Sequence, residues 1–167
     1  MKRRVIVGSL VVLAFAAGAV LTGLLASRVL TGSRSSGPRD DPAAFVSHVV
    51  ALIVADDYSA AWGSLNRAHQ RVAPRSEYVA CELMTPVDAT LRSIDVVRVQ
   101  DRSIRVPGAS ETVSGKAVTL RIKVVSKTFK TPETLNHTFN AVADGSRWTW
   151  ILTPHRYAIY RDDACGA

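Results

Sequence analysis

The sequence predicts an α+β domain preceded by an apolar segment long enough to cross a membrane. Apolar residues recur at helical spacing between residues 41 and 84, and from residue 89 onward they alternate with a period of two. Residues 5–26 contain no charged side chain. Helices that precede antiparallel strands favour a domain in which the helices cover one face of the sheet.

The apolar segment is predicted to be a transmembrane helix over residues 5–27. A helix rises about 1.5 Å per residue, so roughly 20 apolar residues cross a hydrocarbon core of ~30 Å. The alternative is a cleaved signal peptide with Ala17-Gly18-Ala19 as the cleavage site, after which the domain would be secreted. The apolar residues that continue after Ala19 favour a retained anchor in the cell membrane.

Charge indicates that the rest of the chain lies outside the cytoplasm. The three basic residues within residues 1–4 should keep that tail cytoplasmic, although three arginines follow the apolar segment on its other side. Residues 28–40 include the polar stretch TGSRSSGPR and are expected to form a flexible linker. Residues 41–167 are enough for one extracytoplasmic domain with its own core.

The net charge of +7 does not indicate a nucleic-acid partner. Six of the 21 basic residues precede residue 40, whereas all 14 acidic residues lie at or after Asp40. The predicted domain is therefore nearly neutral, and the excess of positive charge belongs to the membrane segment and its flanks. We expect the membrane, and no nucleic acid, as the partner of the basic residues.

Three helices are predicted before the strands. Asp41-Pro42 is a strong helix start, because Asp accepts a hydrogen bond from an unpaired backbone N–H and Pro suits the first helical position. The apolar face of this helix would contain Phe45, Val49, Leu52 and Ile53. Asp57 would cap a second helix over YSAAWGSL, and Ser76 a third over EYVACEL. The polar connector NRAHQRVAPR between them is expected to be solvated, including His69.

About four to five antiparallel strands are predicted after the helices. Residues 89–106 are rich in β-branched side chains and are interrupted at Gln100-Asp101. In KAVTLRIKVV the apolar residues alternate with polar ones, which predicts a strand that buries Val118, Leu120, Ile122 and Val124. NHTFNAVA and RWTWIL follow, and the tripeptide DGS at residues 144–146 is a hairpin turn signal.

The order of these elements resembles the nuclear transport factor 2-like superfamily. The resemblance rests on the long helix DDPAAFVSHVVALIVA, the acidic break before YSAAWGSL, the helix EYVACEL and the late strand DGSRWTWIL. It covers roughly residues 41–160, and more narrowly it looks like the membrane-anchored or secreted members found in high-GC bacteria. It implies a cone, in which helices pack over a strongly curved antiparallel sheet and a cavity opens at the wide end.

The resemblance also implies which residues to consider at that cavity, since enzymes of this superfamily place Asp, His and Tyr inside the cone. The acid–base candidates are Tyr58, Asp95, His137 and Tyr157, and none of them matches a catalytic motif. The apolar lining candidates are Phe45, Trp62, Trp148 and Trp150, for which filling the core is the alternative role. The sequence contains no HExxH, paired-cysteine or glycine-rich phosphate motif, so we assign no catalytic residue, metal site or cofactor.

The two cysteines, Cys81 and Cys165, are predicted to form a disulfide. An oxidising extracytoplasmic compartment favours pairing of the two cysteines of one small domain. The neighbouring negative charge of Glu82 disfavours a thiolate nucleophile at Cys81. The disulfide would hold the C-terminal tail in place, and free or intermolecular thiols are the alternatives.

The sequence does not specify an activity, and three functions remain open. The first is a non-catalytic binding or accessory module for an envelope protein partner, which predicts a cavity closed by its own side chains. The second is an enzyme that acts on a small apolar molecule, with Tyr58, Asp95 or His137 as acid or base. The third is a carrier that binds such a ligand without chemistry. The lack of a catalytic constellation in the sequence favours the first.

Overall fold

The structure, a computed structural model, describes Pro38 and residues 40–165 of the 167-residue chain. The predicted α+β class is confirmed for these residues, which form five helices and one four-stranded antiparallel sheet. The predicted membrane segment at residues 5–27 and most of the linker lie outside the described residues. No helix between residues 40 and 165 is long and apolar enough to cross a bilayer.

Four helices precede the sheet, one more than the sequence predicts. They are α1 (Pro42–Val54), α2 (Tyr58–Gly63), α3 (Arg67–Val72) and α4 (Arg75–Met84). The additional helix α3 forms in the polar connector because Asn66 caps it, accepting a hydrogen bond from the N–H of Ala68 at 3.0 Å. His69 of α3 is completely buried, so the expectation that it is solvated is wrong.

Two of the three predicted helix starts are confirmed. The carboxylates of Asp41 and Asp57 each accept a hydrogen bond from a backbone N–H in the first turn, at 3.0 Å and 3.1 Å. The start predicted at Ser76 is wrong, because α4 begins at Arg75 and has no side-chain cap. The preceding Pro74 has an extended conformation, and the helix begins directly after it.

The sheet is a meander of four antiparallel strands. The strands are β1 (Ala89–Arg105), β2 (Thr112–Ser126), β3 (Pro132–Asp144) and β4 (Arg147–Trp150), and they pair in that order. Gly145 and Ser146 form the two-residue turn between β3 and β4, in which Gly145 has a φ of +64°. The hairpin predicted at residues 144–146 is therefore confirmed.

The first strand is continuous, so the predicted interruption at Gln100-Asp101 is wrong. Both residues pair with β2, and their polarity reflects an exposed strand rather than a break. The strand is irregular at two β-bulges, where Arg92 and Val97 have no opposite residue in β2. Each bulge adds one residue to β1 and shifts the alternation of its side chains.

The main core lies between α1 and the sheet. On β2 all four residues of the predicted apolar face are buried: Val118, Leu120, Ile122 and Val124. Helix α1 covers them with Val46 and Val50. Of the predicted face of α1 only Val49 is buried, whereas Phe45, Leu52 and Ile53 are half-buried. This helix is apolar on almost every side, so its sequence did not determine which stripe faces the sheet.

A second core joins α2, α4 and a C-terminal helix, α5 (Pro154–Arg161). The predicted disulfide between Cys81 of α4 and Cys165 is confirmed, with the two Cα atoms 5.7 Å apart. The C-terminal segment, which the sequence indicated only as a tail to be held, is a helix capped by the hydroxyl of Thr153. The second core therefore connects the helices that precede the sheet to the helix that follows it.

Candidate ligand-binding site

A cavity of about 540 Å³ opens between α1, α4, the end of β1, the middle of β3 and the segment from β4 into α5. Small-molecule sites usually measure ~300–1,000 Å³, so this volume suits a small ligand. The innermost wall is formed by the buried residues Val46, Val49, Tyr78, Ile104 and Leu152. The buried part of the lining is therefore apolar and aromatic.

Aromatic rings hold one side of the cavity in place. Tyr78 and Trp150 both line it and contact each other edge to face, with ring centroids 6.4 Å apart. Tyr160 packs behind Tyr78 at 5.7 Å. The indole Nε1 of Trp150 donates a hydrogen bond to the carbonyl oxygen of Ala61 at 2.9 Å. These contacts fix the ring orientations, so this wall is rigid and mostly apolar.

One ion pair lies in the wall beside these rings. The carboxylate of Glu82 binds the guanidinium of Arg156 and accepts a hydrogen bond from the hydroxyl of Tyr160 at 2.6 Å. Burial raises the pKa of Tyr78 and of Tyr160, and the negative charge of Glu82 raises both further. Both phenols therefore stay protonated at neutral pH, and Tyr160 and Arg156 both contact the same oxygen of Glu82, Oε1.

Asn140 contributes an unpaired polar group to the wall. Its side-chain Oδ1 is buried and has no hydrogen-bond partner among the described residues. Leaving such an oxygen unpaired costs about 1–3 kcal/mol. The oxygen has almost no accessible surface, so a bound molecule would reach it only after the side chain of Asn140 moved.

The mouth of the cavity is positively charged. Arg102 and Arg105 lie there on the end of β1 and are exposed, and Arg156 adds a third guanidinium to the lining. Glu82 is the one carboxylate among the lining residues that the structure describes. An excess of positive charge attracts anionic ligands and disfavours cationic ones.

His69 supports the wall from behind. Its Nε2 donates to the carbonyl oxygen of Pro107 at 3.0 Å, and its Nδ1 accepts from the backbone N–H of Leu152 at 2.9 Å. Because Nδ1 must be unprotonated to accept, the ring is the neutral tautomer with its proton on Nε2. His69 therefore joins two lining segments, and burial lowers the pKa of its imidazole.

The role of His69 was missed in the sequence because the connector around it, NRAHQRVAPR, is mostly polar. Leu65 and Ala73, four residues before and after it, are completely buried as well, but both lie outside α3. Spacing along one helix face therefore gave no signal for the burial of His69.

Of the residues named from the sequence as cavity lining, His137 and Trp150 border this cavity. His137 is exposed on β3, and its ring contacts Phe139 edge to face at 4.6 Å. Asp95 lies elsewhere, exposed on β1, with its carboxylate 3.9 Å from the ammonium of Lys123. Of these three polar or aromatic side chains, Trp150 alone belongs to the rigid wall.

The remaining four residues named as lining fill the two cores. Phe45 packs half-buried against the main core. The hydroxyl of Tyr58 donates to Asp56 at 2.8 Å, and burial raises its pKa to about 12. Trp62 and Trp148 donate from Nε1 to backbone carbonyl oxygens, each at 2.8 Å. Both indole rings also pack against the cores, and filling the core is the alternative that the sequence left open.

The fourth acid–base candidate, Tyr157, also has a structural position. Its ring lies 5.1 Å from that of His69, and its hydroxyl lies against Gly108. A Cβ at residue 108 would collide with that hydroxyl, and the backbone there has a φ of +80°, so glycine is required for the contact. Among the four acid–base candidates, His137 alone lines the cavity.

Two further findings bear on function. Within the described part of the chain, no three His, Cys, Asp or Glu side chains come close enough to hold a metal ion. The cavity is open, so the closed cavity expected of an accessory module is not found.

Comparison with known proteins adds no assignment, because neither a protein-family model nor a curated protein matches the chain. The geometry of the cavity is therefore the basis for a functional proposal.

Proposed function

We propose that the domain binds a small, mostly apolar molecule with an anionic end in this cavity, and that it does so without catalysing a reaction. The observation that carries the proposal is the composition of the lining: its buried side chains are apolar or aromatic, whereas the arginines Arg102 and Arg105 are exposed. Burial of an apolar ligand surface contributes roughly 25 cal/mol per Å². Long-chain carboxylic acids and similar amphipathic acids have this chemistry.

Binding without chemistry is favoured over the enzyme considered above. A general base needs a free proton acceptor within reach of the substrate. The carboxylate of Glu82 is held by Arg156 and Tyr160. The exposed His137 stands at the mouth rather than in the apolar interior. Glu82 is the one other group among the described lining residues that could accept a proton near neutral pH, and its Oε1 is occupied.

The proposal includes a location outside the cytoplasm. It is supported by the length of the apolar segment at residues 5–27, which would serve as a membrane anchor or as a cleaved signal. The disulfide between Cys81 and Cys165 is also typical of oxidising compartments. An envelope protein that delivers or receives the ligand would be the partner of such a binding module.

We also propose the cone of the nuclear transport factor 2-like superfamily as the architecture. In its favour are the helices that precede a meander of four antiparallel strands and the bulges that would bend β1. The position of the cavity between helices and sheet agrees with the same architecture. An experimental structure with sheet and helix orientations typical of that superfamily is the expected result.

Ligand binding is tested by titrating the full chain in lipid nanodiscs with 8-anilinonaphthalene-1-sulfonate, a fluorescent probe with apolar rings and one anionic group. After subtraction of empty nanodiscs, fluorescence is expected to saturate at one probe per chain. Val49→Trp fills the innermost wall, since Val49 is buried there, and should weaken binding at least tenfold. Asn140→Leu changes a half-buried residue that also lines the cavity. It should weaken binding about threefold or more.

Leu83→Trp is the matched control, because it adds the same indole at a site on α4 that is 54% exposed. It should bind the probe as the unmodified chain does. Circular dichroism is recorded for each variant, so that loss of binding is compared only among folded proteins. Equal affinity in the unmodified chain and in both cavity variants would refute the proposed site.

A further inference from the structure

The first strand of the sheet has a free outer edge with apolar side chains. In the sheet that the structure describes, β1 pairs with β2 on one side and with nothing on the other. Residues 95–103 are all exposed, and Val96, Val97 and Val99 are 49%, 50% and 39% exposed. A long exposed edge strand of this kind is a template for pairing with a further strand.

The sequence of this edge is complementary to itself. Residues 92–101 read RSIDVVRVQD. When two copies run antiparallel with a two-fold axis between residues 96 and 97, Asp95 of one copy lies opposite Arg98 of the other. In the same register Arg92 lies opposite Asp101. Every charged side chain of the segment therefore meets the opposite charge, which stabilises cross-strand pairs.

The bulge at Val97 makes this register consistent with the faces of the sheet. Side chains that lie opposite each other on two antiparallel strands project from the same face of the sheet. When the two strands are identical copies related by a two-fold axis, the same two residues must also project from one face within each copy. Ile94 and Val99 are five residues apart and would project from opposite faces of a regular strand. Because of the extra residue, Ile94 lies opposite Ile122 and Val99 opposite Val118, both on the buried face of β2.

The charged residues are brought to the other face by the same shift. Asp95 lies opposite Arg121, and Arg98 lies opposite Thr119, both on the face of β2 that alternates with its buried residues. The existing contact between Asp95 and Lys123 joins two half-exposed side chains at 3.9 Å, and such surface pairs are weak. It would not prevent Asp95 from pairing across the interface.

Bulges usually protect an edge strand against pairing, because a bent strand does not fit a straight one. Here the partner carries the same bulge, and the two-fold axis sets Val96 of each copy opposite Val97 of the other. The two bends at Val97 would then coincide, whereas the bulge at Arg92 lies at the end of the pairing segment. The edge is therefore poorly suited to a foreign straight strand and well suited to a second copy of itself.

We propose that the chain forms a homodimer by antiparallel pairing of β1 over residues 92–101, which joins two four-stranded sheets into one of eight strands. The inference is independent of ligand binding in the cavity. Apolar contacts of Ile94 with Val99 form on one face, and ion pairs of Asp95 with Arg98 form on the other. The two-fold axis gives each of these contacts twice.

The dimer is tested by sedimentation equilibrium of the full chain in density-matched detergent micelles. The unmodified chain is expected to dimerise reversibly. Asp95→Arg sets two arginines opposite each other at both symmetric positions, and Arg98→Asp does the same with two aspartates. Each should raise the dimer dissociation constant at least tenfold. The double variant D95R/R98D exchanges the charges and should restore it to within about threefold.

The double variant separates pairing from folding, because it removes the Asp95–Lys123 contact just as D95R does. Glu133→Arg reverses an exposed charge on β3, outside the proposed interface, and should leave the dissociation constant unchanged. A chain that is monomeric at every concentration overturns the proposal. So does a dimer that the single variants do not weaken, or one that the charge exchange does not restore, because either would form through another surface.

Discussion

The buried imidazole of His69 shows how a single side chain sets the geometry of the cavity wall. It connects the carbonyl oxygen of Pro107 to the N–H of Leu152, and both of these residues line the cavity. The ring is completely buried, so protonation would place a charge in the interior with no described carboxylate bonded to it. The neutral ring is therefore part of the folded structure.

His69→Phe should lower the free energy of unfolding by about 2–4 kcal/mol, because it leaves a backbone N–H and a carbonyl oxygen unpaired. Urea denaturation at pH 7.5 measures this. His48→Phe alters an exposed histidine of α1 and should change the unfolding free energy by less than about 0.5 kcal/mol. Equal effects of the two substitutions would rule out a bracing role for His69.

The same residue predicts a pH dependence of stability. Burial lowers the pKa of His69 in the folded chain below its ordinary value of 6.5, so the unfolded chain binds the proton more readily. Stability is therefore complete above about pH 6.5 and is lost as the pH falls from there toward the folded-state pKa. The slope of the unfolding free energy against pH between 6.5 and 5 should be smaller in H69F than in the unmodified chain.

Individual residues were predictable from the sequence where chemistry alone decided their role. Asp41 and Asp57 were recognised as helix caps, and Cys81 with Cys165 as a disulfide, because each depends on local preference or on the count of cysteines. His69 was not recognised, since its partners lie 38 and 83 residues away along the chain. Contacts at that separation leave no pattern near the residue itself.

At the scale of elements, α5 is held to α4 by three different interactions. The disulfide joins Cys81 to Cys165, and Glu82 holds both Arg156 and Tyr160. The helix supplies Pro154 and Arg156 to the cavity wall. The sequence HRYAIYRDD has no strong apolar stripe, which is why the helix was not predicted. Its stability comes from packing and covalent linkage rather than from its own pattern.

Removing the disulfide should therefore destabilise the domain and loosen the wall. The bond spans 84 residues, for which the chain-entropy estimate is roughly 4.5 kcal/mol, an upper figure. The double variant C81S/C165S should lose about 2–4 kcal/mol of unfolding free energy in urea. The unmodified chain treated with dithiothreitol should match it, and the variant should not respond to the reductant. Identical denaturation curves with and without the bond would contradict this.

The strands were predictable in number and order, but the bulges of β1 were not. Alternation in KAVTLRIKVV predicted the buried face of β2 correctly because β2 lies between two strands. β1 is an edge strand with both faces largely exposed, so its pattern is weak, and Gln100-Asp101 was misread as an interruption. A bulge such as the one at Val97 depends on the partner strand and is not specified by one sequence alone.

At the scale of the whole molecule, the class of the domain followed from the order of its elements. Helices before alternating strands predicted an α+β domain, and the described residues have that organisation. Most of the residues that line the cavity were not predictable, because they depend on the gap between α1, α4 and the sheet. Two of the three tryptophans, Trp62 and Trp148, brace backbone carbonyl groups instead of lining it.

The two proposals concern separate parts of the molecule. The cavity lies between helices and sheet, and the self-complementary edge is residues 92–101 of β1. They approach each other at Arg102, which lines the mouth of the cavity one residue after the pairing segment ends. Dimerisation would then bring each cavity mouth close to the shared edge, but ligand binding does not require it.

Photo-crosslinking locates the ligand directly. The full chain in nanodiscs is exposed to a diazirine-labelled palmitic acid, irradiated, and mapped by peptide mass spectrometry. The label is expected within residues 46–53, 137–140 and 150–156, the segments that contain lining residues. Val49→Trp should reduce the labelling several-fold, whereas Leu83→Trp should not. Labelling confined to the exposed strand residues 95–99 and 132–136, at equal levels in both variants, would show that the cavity does not bind the acid.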